Sequence, residues 1–268
     1  MIILVTGGAR SGKSSFAERY ARHLAGGGSG SGGRTEMGGG NAGETGAGPC
    51  RVFYVATSQA LDEEMRQRVE MHRRNREKAG MAWETVEEPY ELAALLMRLA
   101  GNGAADRNAA ASLSAFPPAR GEGGSGPAGW PDAFRSGMAG EVPGRSAAPQ
   151  SAGPVILVDC LTFWLSNWLL RCERDGDPQA AVMSRVEELA GRVLPALRGR
   201  GHILLVTNEV GDGVVPEYPL GRLFRDLAGA MNQRIAAVSD QVFLVTAGIP
   251  VELKRLAFHL PGEEGGGP

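Results

Sequence analysis

The chain opens on an apolar run, Met1-Ile2-Ile3-Leu4-Val5, and passes through Thr6 into Gly7-Gly8-Ala9-Arg10-Ser11-Gly12-Lys13-Ser14. The spacing is G-x-x-x-x-G-K-S, and it stands in the context that this pattern requires, after a buried strand and before a helix. Glycines let the backbone curl so that successive N–H groups point inward, a concavity suited to phosphate oxygens. Lys13 adds a point charge for the outer phosphates, and Ser14 adds a hydroxyl for Mg²⁺. A helix starting near Lys13 brings its positive end to the same place. The pattern predicts binding of a nucleoside triphosphate, and it constrains the fold to one that presents a loop between a central strand and a helix.

Bulk properties narrow the function further. The 28 basic and 30 acidic residues give a net charge of −2, so nothing in the charge balance argues for nucleic acid. A hydrophobic content of 43% supports a substantial core. No apolar run reaches the length of a membrane span; the longest, from Val155 to Leu170, is broken by Asp159, Thr162, Ser166 and Asn167. The first residues read as a strand, without the basic and cleavage regions of a signal peptide. Cys50, Cys160 and Cys172 show neither metal nor disulfide spacing, which points to the reducing cytoplasm.

Two stretches cannot join a packed core. Residues 26–49 are dominated by glycine, and residues 101–153 by Gly, Ala, Pro and Ser. Both read as disordered insertions, and 261–268 as a flexible tail, within one domain spanning 1–268. The remainder alternates strand and helix. Strands are expected at Ile2–Thr6, Arg51–Ala56, Trp83–Val86, Val155–Val158, His202–Thr207 and Gln241–Thr246, with an edge strand at Val251–Leu253. Helices are expected at Lys13–Ala25, Leu61–Lys78, Pro89–Ala100, Leu161–Arg171, Pro178–Leu197 with a break at Pro195, and Leu220–Ala237. Near-continuous Val/Ile/Leu strands between helices predict an α/β fold, a mostly parallel sheet with helices on both faces. Ligands then bind at the carboxyl ends of the strands.

Several polar residues fall at such ends. Asp159 closes the strand Val-Ile-Leu-Val-Asp, where it can hold Mg²⁺ or its waters, or cap the helix that begins at Leu161. His72 sits in a basic cluster, with Arg68 and Arg76 four residues to either side. Neighbouring cations keep an imidazole neutral, hence nucleophilic, and arginines grip phosphate. Thr207-Asn208-Glu209 followed by Gly211-Asp212-Gly213 has the form of a binding loop, or of a plain turn. Arg222, Arg225 and Asn232 lie on a helix whose apolar stripe packs inward, leaving them to face a ligand or a subunit interface. His23, His202 and His259 read as surface or strand-end residues.

Seven further motifs follow the first in order: Tyr-Val-Ala-Thr-Ser, Asp-Glu-Glu-Met, Arg-Val-x-x-His-Arg, Trp-x-Thr-Val-Glu-Glu-Pro, Val-Asp-Cys-Leu-Thr-x-Trp-Leu-Ser-Asn, Thr-Asn-Glu-Val-Gly-x-Gly-Val-Val-Pro and Phe-Arg-Asp-x-x-Gly-x-x-Asn-Gln. With them the chain resembles the bifunctional adenosylcobinamide kinase / adenosylcobinamide-phosphate guanylyltransferase family of cobalamin biosynthesis, over nearly all residues outside the two insertions. The resemblance implies a RecA-like P-loop domain, usually assembled as a homotrimer. It implies phosphorylation of adenosylcobinamide by ATP or GTP, then transfer of GMP from GTP to adenosylcobinamide phosphate through a GMP–histidine intermediate at His72. It carries nucleotide contacts onto Gly7, Gly8, Ala9, Arg10, Ser11, Gly12, Lys13 and Ser14, onto Thr57 and Ser58, onto Arg73, Arg74, Asn75 and Arg76, and onto Glu87 and Asp159. Mg²⁺ falls to Ser14 and Asp159. Transfer of guanylate alone, or nucleotide binding without catalysis, are the narrower alternatives. The chain departs from the family where Arg76 is followed by Glu77 rather than proline, and where the run to Trp83 is longer.

Overall fold

The computed structural model describes residues 1–26, 50–59, 83–101 and 153–258. The expected helix at 61–78, with His72 and Arg73 to Arg76, lies outside the described residues. So do nearly all of both glycine-rich stretches, His259 and the tail.

Among the described residues, seven strands form one sheet, in the order β3-β2-β4-β5-β1-β6-β7. They are β1 (Ile2–Thr6), β2 (Val52–Ala56), β3 (Trp83–Glu87), β4 (Val155–Asp159), β5 (His202–Val206), β6 (Gln241–Thr246) and β7 (Ile249–Glu252). The first six run parallel, and β7 returns antiparallel to β6 through a tight turn. Ala247 and Gly248 both have positive φ there, 52° and 81°, the backbone of a two-residue hairpin turn whose twist matches its strands. An edge strand was expected at Val251–Leu253; it begins two residues earlier because this turn, and not the proline at 250, sets its start.

Each central strand is buried on both faces, and the alternation of side chains divides the core in two. Ile2, Leu4, Phe53, Val55, Ile156 and Val158 join one cluster. Their neighbours Ile3, Val5, Val52, Tyr54, Val155 and Leu157 join the other. This is the period of two expected of a strand, with both phases apolar because helices cover both faces. Helix α1 (Lys13–Ala25) lies on the second face, burying Ala17 and Ala21. The first face carries α2 (Leu92–Ala100), α3 (Leu161–Cys172), α4 (Pro178–Glu187) and the long α6 (Pro219–Val238).

Two helix boundaries differ from the sequence expectation. The break placed at Pro195 arrives a turn earlier: Glu188–Val193 is a π-helical segment between α4 and the short α5 (Leu194–Ala196). Pro195 has no N–H to return to the carbonyl four residues back, and the turn before it widens. The helix expected from Pro89 starts only at Leu92. The Glu88 carboxylate accepts from the backbone N–H groups of Tyr90 and Glu91, at 3.0 and 2.9 Å, and holds this segment as a turn. In the sequence, the two glycine-rich stretches fall between the end of a helix (α1 or α2) and the start of a strand (β2 or β4).

Candidate functional site

The 7–14 loop leaves β1 at the carboxyl edge of the sheet. Gly7 has φ +156°, and a Cβ there would stand 2.4 Å from the Val245 carbonyl oxygen and 2.7 Å from Ser11 Oγ. Gly12 has φ +92° and its missing Cβ faces Gly248 at 3.2 Å. Gly248 in turn donates its N–H to the Ser11 carbonyl at 2.8 Å. The β6–β7 turn therefore buttresses the loop, a role that sequence reading did not assign; the Ala-Gly pair between two apolar runs was its only signal. The Ser11 hydroxyl is buried and has no hydrogen-bond partner among the described residues. Lys13 opens α1, is buried, and donates to the Gly8 carbonyl at 3.1 Å. Burial lowers its proton affinity, opposed by the neighbouring Cys160 and Asp159. Lys13 and Asp159 are thus brought together across the sheet, as two strands of the order β4-β5-β1 require.

Among the described residues, Asp159 caps no helix. Cys160, in extended backbone, occupies the position just before helix α3, and no side chain caps the helix. Tyr54 donates its hydroxyl to the Asp159 carboxylate at 3.3 Å. This leaves the carboxylate partly exposed at the strand end, on the side of Lys13. Cys160 is fully buried, its thiol pushed up to about 11 by desolvation and then by the adjacent Asp159 charge. A thiol held in that state is a packing group, not a nucleophile.

Thr57 and Ser58 follow β2. Thr57 is fully buried, and its hydroxyl donates to the Cys160 carbonyl at 2.6 Å while accepting the Cys160 N–H at 3.0 Å. Ser58 beyond it is partly exposed. Glu87 ends β3 and is exposed; it pairs in register with Ala56, which on its other side pairs with Asp159. Two strand spacings of about 4.8 Å put the α-carbons of Glu87 and Asp159 roughly 10 Å apart.

Behind these residues lies a bracing set that the sequence did not reveal. Asn167 of α3 is buried and donates to the carbonyls of Thr57 and Pro89, at 2.8 and 3.0 Å. The indoles of Trp164 and Trp168 both donate to the Tyr90 carbonyl, at 2.8 and 3.0 Å. Gln59 donates to the Tyr90 hydroxyl at 2.7 Å. Helix α3 thereby fixes the exits of both β2 and β3. The Trp-Leu-Ser-Asn-Trp run reads as core from its periodicity, and nothing in it announces that its polar atoms turn toward strand ends.

The polar side chains just described lie at the carboxyl edge of a mostly parallel sheet, around a glycine loop and an opposed lysine and carboxylate. In α/β proteins so arranged, ligands bind at that edge. The chain belongs to the cobinamide kinase / cobinamide phosphate guanyltransferase family, which matches residues 3–105 and 139–253. It is 32% identical over 259 residues to the bifunctional adenosylcobalamin biosynthesis protein CobU of Escherichia coli (strain K12), covering 95% of this chain and 100% of that protein. The corresponding CobU of Salmonella typhimurium matches to the same extent, 32% over 259 residues, 95% of this chain and 100% of its own length. The bifunctional adenosylcobalamin biosynthesis protein CobP of Pseudomonas aeruginosa is 35% identical over 251 residues, 94% of this chain and 96% of its own. The matched segments take in the 7–14 loop, Thr57, Ser58, positions 72–76, Glu87 and Asp159. Among the described residues no helix is long and apolar enough to cross a membrane.

Proposed function

We propose that this protein phosphorylates the hydroxyl of adenosylcobinamide with ATP or GTP, and then transfers GMP from GTP to the resulting phosphate, releasing pyrophosphate and adenosylcobinamide-GDP. The observation that carries this reading is the convergence of the buried Lys13 and its glycine loop on Asp159, in a chain of this family.

In the first reaction the 7–14 loop and Lys13 hold the donor's phosphates, and the acceptor oxygen displaces the nucleoside diphosphate from the γ-phosphorus. In the second, the His72 imidazole attacks the α-phosphorus of GTP and pyrophosphate leaves. An oxygen of the acceptor phosphate then displaces the imidazole. The phosphorus–nitrogen bond is labile enough to pass the guanylate on. Arg73, Arg74, Asn75 and Arg76, which follow His72 in the chain, are assigned to the same phosphates. Ser58 and Glu87 are assigned to the nucleoside end, since β2 and β3 lie three and four strands from β1.

The residues present suit Mg²⁺. Asp159 and Ser14 offer one carboxylate and one hydroxyl, hard oxygen donors in the number used by an ion that keeps waters and phosphate oxygens as its other ligands. When bound it neutralises phosphate charge. The buried, unpartnered Ser11 hydroxyl and the close approach at Gly7 fit a loop built around an anion. We further propose one domain acting in the cytoplasm as a homotrimer; the exposed apolar side chains Ile249, Leu256 and Phe258, on and after the edge strand β7, offer a surface for assembly that sedimentation would test.

The deciding experiment incubates the purified protein with α-labelled GTP. Acid-labile, base-stable label is expected on the chain and is expected to vanish in His72→Ala. Label that persists in that variant, or none in the parent, overturns the nucleotidyl-enzyme step.

A further inference from the structure

Helix α6 is stitched along its length to the segment that follows β5. Asn232, buried in the middle of α6, accepts the Thr207 hydroxyl on its Oδ1 at 2.8 Å. Its Nδ2 donates to the Asn208 carbonyl at 3.1 Å and to a carboxylate oxygen of Glu209 at 3.4 Å. All of its polar atoms are used, so the amide has one orientation, and that orientation aims a donor at Glu209. Nearer the start of the helix, Arg225 donates to the Gly211 carbonyl, and Arg222 to the carbonyls of Glu217 and Pro216 at 2.6 and 3.2 Å. The backbone on both sides of Glu209 is thus held by side chains of one rigid element.

Glu209 itself is placed against the phosphate loop. Its N–H donates to the Gly7 carbonyl at 3.1 Å, and β5 is the immediate neighbour of β1. It is partly exposed, and among the described residues it forms no ion pair. An unneutralised carboxylate beside a polyphosphate cradle opposes the binding of that ligand, a local conflict that proteins retain where the group has another task. Among the described residues, the carboxylates at or just after the end of a parallel strand that lie outside the metal assignment are Glu87, Glu88 and Glu209; Glu88 is engaged by the Tyr90 and Glu91 amides, and strand order separates the other two. Glu87 ends a strand four positions from β1, about 19 Å away at 4.8 Å per strand, whereas Glu209 follows the adjacent strand.

Resting on the two-step reading above, we propose that Glu209 takes the proton of the acceptor's hydroxyl in the kinase step, and that Asn232 is the positioning residue that aims it. As the hydroxyl oxygen bonds to the γ-phosphorus and the bridging oxygen departs with the nucleoside diphosphate, the hydroxyl proton passes to the free carboxylate oxygen of Glu209. The oxygen bonded to Asn232 stays fixed. Guanylyl transfer needs no such acceptor, because the attacking atoms there are the unprotonated ring nitrogen of a neutral imidazole and an ionised phosphate oxygen.

The two half-reactions supply the test. Full-length protein is assayed for phosphorylation of adenosylcobinamide and, separately, for guanylyl transfer to adenosylcobinamide phosphate. Glu209→Gln keeps the shape and the bond to Asn232 but cannot take a proton. Its kinase kcat is expected to fall by about a hundredfold or more, with the KM for nucleotide nearly constant and with guanylyl transfer largely retained. Glu209→Asp is expected to recover part of the kinase rate, and Asn232→Ala to lose kinase kcat by roughly tenfold with the same asymmetry. Kinase turnover in Glu209→Gln at the parent rate overturns the inference alone. Equal losses in both half-reactions also overturn it, since they mark a structural role. A parent protein that performs neither reaction overturns the reading it rests on as well.

Discussion

The Lys13 ammonium donates to the Gly8 carbonyl at 3.1 Å, so the side chain folds back across the loop that carries it. A buried ammonium is stable only with such partners, and here its charge is kept beside the loop's inward-facing backbone. Lys13→Ala removes the charge without disturbing the sheet. The expected outcome is a loss of GTP affinity of at least about tenfold, the scale of one charge-assisted bond, measured by calorimetry, with far-ultraviolet circular dichroism unchanged.

Gly7 is irreplaceable for a different reason. A Cβ at this position meets backbone, the Val245 carbonyl at 2.4 Å, and the strand that carries it cannot swing aside. Gly7→Ala is expected to cost roughly 1–3 kcal/mol of stability, the range for enforced backbone strain, read from the midpoint of a urea titration. Gly8, with nothing within 4 Å of its missing Cβ, is the control: Gly8→Ala is expected to leave that midpoint nearly unchanged.

Asn167 ties two strand exits to α3 through the carbonyls of Thr57 and Pro89. Asn167→Leu fills similar space but leaves both acceptors without a donor, at about 1–3 kcal/mol for each buried group left unsatisfied. Faster amide exchange is expected at positions 57–59 and at 88, 90 and 91, with β1 and β5 unaffected. Uniform protection would show that the bracing lies elsewhere.

His202 begins β5, and its proton affinity is lowered from the ordinary value of 6.5 by burial and then by the nearby chain-terminal ammonium. The unfolded chain therefore takes up this proton before the folded one does. The contribution is fully present above pH 6.5 and is lost as pH falls from there toward the lower folded value. His202→Gln is expected to flatten the decline of unfolding free energy below pH 6.5, in denaturant titrations at a series of pH values.

The three cysteines differ in reach. Cys160 is fully buried with its thiol raised to about 11, whereas Cys50 is only half-buried. Iodoacetamide at pH 8 is expected to modify Cys50 first and to leave Cys160 unmodified until the chain is unfolded, as mass spectrometry of labelled peptides would show.

Much of the architecture was legible in the linear pattern. The apolar runs at Ile2–Thr6, Val155–Val158 and His202–Thr207 can bury both phases of their side chains only inside a parallel sheet. The glycine spacing ahead of Lys13 marks where its ligand edge begins. Helix starts were less legible, because Pro89 favours a first turn while Glu88, which claims the next amides, does so only through side-chain geometry.

By itself the sequence determined the strand-loop-helix at the amino terminus, the alternation that makes an α/β sheet, and the family, since each is written in residues adjacent along the chain. Tertiary structure alone decided which distant groups meet: Lys13 with Asp159, Gly12 with Gly248, Asn167 with Thr57, and Asn232 with Glu209. The order in which parallel strands assemble is set by how helices pack on both faces. No local pattern states that order, so the partners across the sheet edge become visible only when the chain is folded.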